Sequence, residues 1–175
     1  MTKDQKNPDS KPDQQNSVEG IIGLGQYSVR KSYFPELQKK IKEIKQEKEK
    51  YKSIFSEALD GIFQVDLGGQ IIIANPAMIK LCGYNSLKQF LTINDMGHQL
   101  FADNEDKEKL LLEITGKQNI IGFETQFKRK DGEIIDVSMN VSLRTVESRQ
   151  YLECFVHDIS ERKSFIHTLK ENAYI

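Results

Sequence analysis

The sequence predicts an α+β fold: a single antiparallel sheet with its helices on one side, preceded by a coiled-coil-like helix and followed by a short C-terminal helix. Three observations predict it. Two short β-like runs come first, then helical patterns, then three longer alternating runs. Each alternating run has one apolar face, as in a sheet packed on one side. The joins between neighbouring runs are tight turns, LGG at Leu67 to Gly69 and Asp131-Gly132, so consecutive strands pair antiparallel.

The elements follow in order. Met1 to Ser17 holds Asp, Lys, Gln, Asn, Pro and Ser and lacks the apolar surface needed to offset chain entropy. Together with the IIGLGQY patch it reads as a disordered or loosely ordered tail over 1–33. Pro35 suits a first helical position, with Glu36 in the first turn, and a helix is expected over 34–59. Along it Leu37, Ile41, Ile44, Lys48, Tyr51, Phe55 and Ala58 recur at alternating spacings of four and three, a heptad seam. A helix this polar needs a partner for its stripe. The expected partner is the same helix of a second copy, with Leu37, Ile41, Ile44, Tyr51 and Phe55 at the seam; a helix folded back on its own domain is the alternative.

After Asp60-Gly61 the period becomes two. GIFQVD and QIIIA read as a hairpin, and Asn75-Pro76 as the cap and first residue of a helix bearing Met78, Leu81 and Cys82 on its buried face, with Gly83 as its stop. Asn85 to Phe101 is irregular. Asp103 or Asn104 caps the helix DKEKLLLEITGK, with Leu110, Leu111 and Ile114 on one side and Gly116 as its end. FETQFKRK then places Phe123, Thr125 and Phe127 on one face. EIIDVSMNVSL does the same with Val137, Met139, Val141 and Leu143. Glu147 to Gln150 is expected as a turn, and YLECFVHDI closes the sheet with Leu152, Cys154 and Val156. Asp158 and Ser160 are both good N-caps for a final connector helix over 160–175, where Ile159, Ile166, Leu169 and Ala173 continue a short apolar stripe.

Composition narrows the function classes. The 175 residues carry a formal net charge of -1, which argues against a nucleic-acid binder and against a polybasic membrane anchor. The longest apolar runs, such as Ile71 to Ile73, are too short to span a bilayer, and the N-terminus has no apolar signal core. Cys82 and Cys154 form neither a metal-type spacing nor a disulfide framework. The expectation is a soluble cytoplasmic protein with free thiols. No Ser-His-Asp order, phosphate-cradling loop or paired-carboxylate motif is present, so the chain is read as non-catalytic.

At this point several stretches, in the right order, resemble a PAS domain with a C-terminal PAC motif, of the kind found in bacterial signalling proteins. YKSIFSEALDGIFQVDLGGQIIIANPAMIKLCGY looks like the opening of a sensory-box domain, FKRKDGEIIDVSMNVSL like its central hairpin, and VHDISERK like its closing motif. The resemblance covers 51–163. KSYFPELQKKIKEIKQEKEKYKSIF also resembles the helical lead-in of bacterial sensor kinases and cyclases.

The resemblance implies a five-stranded sheet that binds a small ligand, dimerises and passes strain through flanking helices to an effector. A ligand pocket would lie between the sheet's inner face and the middle helices, with Met78, Leu81, Ile114, Phe127, Met139, Val141 and Cys154 as its lining; these same side chains could equally be filled core. Only Asn75 or Thr125, if turned inward, would supply a polar group there. Family members that bind haem use a histidine on the helix before the central hairpin; DKEKLLLEITGK has none, and His98 lies upstream. Light-sensing flavin members use an Asn-Cys-Arg-Phe type motif, whereas Cys82 sits in LCGY, and the chain has no Trp. Haem and flavin are therefore not expected, and no cofactor is evident.

His167 is followed by Thr168 rather than an acidic residue, so a phosphoacceptor role is not expected. Asp158, Ser160 and Arg162 are the expected relay residues, with Asp158 coupling the last strand to the outgoing helix. Partners are a second copy of the chain, a signalling effector and an uncharged small molecule or metabolite. The alternatives are a ligand-free interaction adaptor, or a regulatory fragment of a histidine kinase or diguanylate cyclase whose catalytic domain lies outside this chain.

Overall fold

The computed structural model describes residues 16–93 and 96–173, with 16–32 and 97–98 as backbone only. The chain divides into two units, 1–50 and 51–175. Helix α1 spans Asn16–Glu57, so it begins well upstream of Pro35, which lies inside it. Residues 16–33, expected as tail, are helical here, and the rest of the expected tail lies outside the described residues. A proline removes one backbone donor, which a helix of 42 residues can lose without ending. The seam residues Leu37, Ile41, Ile44 and Tyr51 are exposed and Phe55 is half-buried. The Tyr51 and Phe55 rings stack with centroids 6.1 Å apart.

The second unit continues through β1 (Gly61–Asp66), β2 (Ile71–Ala74), α2 (Pro76–Leu81), α3 (Leu87–Phe90), α4 (Met96–Gln99), α5 (Asn104–Lys117), β3 (Asn119–Lys128), β4 (Ile134–Val146), β5 (Arg149–Asp158) and α6 (Ser160–Asn172). The strands form one five-stranded sheet in the order β2-β1-β5-β4-β3, and every pairing is antiparallel. The first and last strands in sequence are therefore neighbours, with Gly61 opposite Val156 and Phe63 opposite Cys154.

The predicted alternation sets the core. Phe63, Val65, Phe127, Val137, Met139, Val141, Leu152, Cys154 and Val156 are buried on the inner face, where Met78, Cys82, Phe90, Leu110 and Ile114 pack with them. Phe101 covers the outer edge of β3, its ring edge-on to Phe127 at 5.2 Å. Gly61 permits close packing of β1 on α2, because a Cβ there would come within 2.8 Å of the Met78 sulfur.

Three boundaries differ from expectation. Helix α5 runs through Gly116 and ends at Gln118, which takes the left-handed conformation at φ 61°. The Gln118 N–H donates to Ile114 and its carbonyl accepts from Leu143, so the stop is fixed by bonding to β4 rather than by glycine freedom. The β4–β5 turn is only Glu147-Ser148, with φ of 47° and 67°, and Arg149 and Gln150 belong to the strand. Two consecutive positive φ angles suit the two-residue turn of a twisted hairpin. At the chain's exit, Ser160 is the first helical residue of α6, and Ile159 occupies the cap position without a side-chain bond.

Asn75 is the polar hub of the unit. It is fully buried. Its Oδ1 accepts from the Ile62 and Met78 N–H groups, each at 2.9 Å, and its Nδ2 donates to the Asp60 carbonyl at 3.0 Å. One carboxamide thus caps α2 and fixes the start of β1. Replacing it by Ala orphans the Ile62 and Met78 donors together. Asn75→Ala is expected to destabilise the domain by about 3 kcal/mol in urea unfolding; a loss below about 1 kcal/mol would show that the hub is dispensable.

Candidate relay and ligand site

The inner face carries most of the side chains expected to line a pocket. Of the residues expected to line a pocket, Met78, Ile114, Phe127, Met139, Val141 and Cys154 are all buried in the hydrophobic core. Leu81 is half-buried at its margin. Asn75 and Thr125 do turn inward, but both are already satisfied. Asn75 makes the three bonds above, and Thr125 Oγ1 donates to Asp106 at 2.7 Å. Burial pushes the Cys82 thiol up to about 12, against a smaller lowering by the Arg129 charge. Burial raises the Cys154 thiol as well, reinforced by the Glu153 carboxylate. Both thiols are therefore protonated and poorly nucleophilic at neutral pH.

An open groove of about 610 Å³ lies elsewhere, where the chain enters and leaves the sheet. Ala58 to Gly61 form one wall. The α2 residues Pro76, Ala77, Lys80 and Leu81 form the second, and Val156, His157 and Asp158 of β5 form the third, with Arg129 at the rim. Of the residues expected to line a ligand pocket or to relay, only Leu81 and Asp158 line it; the other lining candidates lie in the core. The groove was not legible in advance because it is built from the ends of elements, where periodicity is silent. His157 Nδ1 lies 2.7 Å from Asp60 Oδ1, joining the incoming segment to the last strand.

The outgoing helix is held by Asp136 of β4, which points away from the core between buried Ile135 and Val137. Its N–H donates to Ser160 Oγ at 3.0 Å, its carbonyl accepts from the Ile159 N–H at 2.9 Å, and its Oδ1 lies 3.1 Å from Lys163 Nζ. Lys163 also meets Glu124 of β3 at 3.1 Å. Asp158 accepts from the Ser160 N–H at 2.9 Å, satisfying a donor of the first turn. Of the three residues expected to relay, Asp158 and Ser160 form hydrogen bonds at this turn, whereas Arg162 is exposed and the cation at this turn is Lys163. Helical geometry explains the difference: residues three apart share a face, so Lys163 lies beneath Ser160 and Arg162 does not. His167 is exposed and pairs with Glu171 at 3.4 Å, and the side chain of His98 lies outside the described residues. Among the described residues, no cluster of three His, Cys, Asp or Glu side chains could hold a metal ion, and no helix is long and apolar enough to cross a membrane.

Strand order and helix placement define the class: a single-sheet α+β domain with its short helices inserted between the second and third strands. A family model described as the PAS fold matches residues 49–159, and the chain belongs to the PAS family. No curated protein matches it. Solved structures resemble it in fold. The PAS domain of an HTR-like protein from Haloarcula marismortui is 19% identical, with a TM-score of 0.59 over 70% of this chain and 99% of that one. A PAS domain from a two-component sensor histidine kinase is 22% identical, with a TM-score of 0.56 over 65% and 97%. An RNA-binding light-oxygen-voltage receptor is 15% identical, with a TM-score of 0.56 over 95% of this chain and 41% of its own.

The hydrogen bonds to Asp136 and then to Glu124 raise the Lys163 amine above its ordinary 10.5. A raised amine contributes stability that is complete below its unfolded value and lost as pH climbs through its folded value. A nitroxide at position 170 is therefore expected to report an ordered α6 through the neutral range and release only in alkali above about pH 10.5. Lys163→Met should give the mobile spectrum already at neutral pH. An unchanged spectrum in that variant would show that Asp136 does not hold the helix through Lys163.

Proposed function

We propose that this chain is a sensory PAS module that pairs with a second copy along α1 and relays its state through its flanking helices to an effector. The observation that carries the reading is the meeting of the incoming and outgoing segments at one end of the sheet. Gly61 pairs with Val156, Asp60 contacts His157, and Asp136 clamps the first turn of α6. A shift of the last strand is therefore felt by both segments at once. PAS membership and the likeness to a PAS domain from a sensor histidine kinase support a signalling role. The chain itself is read as non-catalytic, with any kinase or cyclase activity belonging to its effector, and as acting in the cytoplasm. Haem and flavin are not part of the reading.

Dimerisation is supported by Leu37, Ile41, Ile44 and Tyr51, apolar at heptad spacing and exposed by 45 to 63%. An uncovered seam of this kind is stabilised by burial against an equivalent one. In a second reading the relayed state is a bound partner protein rather than a ligand held in the core.

Native mass spectrometry of the full chain tests the reading. The expected species is a dimer of the 20.2 kDa chain. Ile41→Asp with Ile44→Asp is expected to weaken dimerisation by about 100-fold or more, since each apolar side chain contributes about 1.5 kcal/mol or more when buried. A monomer at micromolar concentration in the unmodified chain would contradict the proposal.

A further inference from the structure

The tip of the β3–β4 hairpin, Arg129 to Glu133, is a self-contained piece held lightly against the end of α2. Its own bonds are internal. The Arg129 N–H donates to the Glu133 carbonyl at 2.8 Å, the Gly132 N–H to the Arg129 carbonyl at 2.9 Å, and the Glu133 N–H to Asp131 Oδ1 at 3.0 Å. The Arg129 and Glu133 side chains pair at 2.6 Å. The base of the hairpin is anchored: Phe127 and Ile135 are buried, and the Lys128 N–H donates to the Leu100 carbonyl. Beyond that base every tip residue except half-buried Arg129 is exposed, so little apolar surface holds the tip down.

Three contacts close it, all made by Lys130. Its N–H donates to the Cys82 carbonyl at 2.9 Å, its Nζ donates to Gln89 Oε1 at 3.1 Å, and the same Nζ lies 5.6 Å from the centre of the Tyr84 ring. Closure also has a cost. The Arg129 Nε is buried beside Gly83 with no acceptor among the described residues. A buried donor left unpaired loses its hydration for nothing, and lifting the tip returns it to water. Segments with few apolar contacts and exposed bonds open at low free energy.

We propose that Arg129 to Glu133 is a strap that lifts as a unit, with Lys130 as its catch, and admits small molecules to the core side of α2 at Cys82. Lifting keeps the internal bonds and the Arg129–Glu133 pair, and breaks only the Lys130 contacts. It uncovers the end of α2, where the Arg129 charge lies close enough to act on the Cys82 thiol, and Tyr84, whose ring stands edge-on to buried Phe90 at 5.2 Å. The open path leads from solvent to the inner face of the sheet. The strap is separate from pairing along α1 and does not require it.

The two cysteines supply the test. Cys82 lies under the strap, whereas Cys154 lies in β5 with a strand on either side and is uncovered only by unfolding of the sheet. Closed, burial keeps the Cys82 thiol protonated and inert, so alkylation reports the lifted state. The full chain is treated with N-ethylmaleimide at neutral pH, and modification of each cysteine is followed by mass spectrometry of its peptide. Cys82 is expected to react at least about tenfold faster than Cys154. Lys130→Met keeps the side-chain stem and removes the charge from Gln89 and Tyr84; it should speed Cys82 about fivefold and leave Cys154 unchanged. Arg129→Met removes the unpaired donor and should slow Cys82, a change opposite in sign to general destabilisation. Equal rates at the two cysteines in the unmodified chain would overturn the proposal. So would a Cys82 rate unmoved by Lys130→Met, an increase shared by Cys154, or a Cys82 rate that does not fall in Arg129→Met.

Discussion

The carboxamide of Asn75 ties together the segment before β1, β1 itself and the first turn of α2. It bonds the Asp60 carbonyl before β1, the Ile62 N–H within β1, and the Met78 N–H in the first turn of α2. The Met78 bond is buried and the other two are part-buried, so losing the carboxamide leaves donors shielded from water and costs part or all of their desolvation. Pro76 adds a preset φ and no surplus donor. The consequence is geometric. Two of the three walls of the junction groove, the incoming segment and α2, are positioned by one side chain, and the third is β5, in register with β1.

The outgoing side is built on weaker but more numerous bonds. Asp136 offers its amide, carbonyl and carboxylate to three residues of a single helical turn. The backbone bonds fix position, and the half-exposed Lys163 pair fixes direction at modest energy, since solvent screens it. A strongly held start and a lightly held finish are what the proposed relay would need, a small movement passed on without unfolding.

Much of the fold could be read from the sequence because it is periodic. Alternation in FETQFKRK, EIIDVSMNVSL and YLECFVHDI placed Phe127, Met139, Val141 and Cys154 inward, and the Asn75-Pro76 pair marked the start of α2. Non-periodic features were not readable. Gln118 ends α5 because its carbonyl accepts from Leu143, a contact 25 residues away in sequence. Pro35 lies within α1 rather than opening it. For the expected pocket the limit is similar: pattern tells which side chains face inward, and says nothing of the space between them. Asp136 was overlooked because an acidic residue on the outer face of a strand looks like solvated surface. The spacing from Ser160 to Lys163, three residues on one helical face, was the available hint.

If the proposed relay operates, the incoming and outgoing segments respond as one. Native-state amide exchange reads it directly, by perturbing one end and observing the other. Ser160→Ala removes a bond to Asp136 at the exit without touching Asn75. The expected result is faster exchange at Ile159 and, in step with it, at Ile62, whose N–H is held by Asn75. Loss of protection confined to Ile159 and the first turn of α6, with Ile62 unmoved, would contradict it.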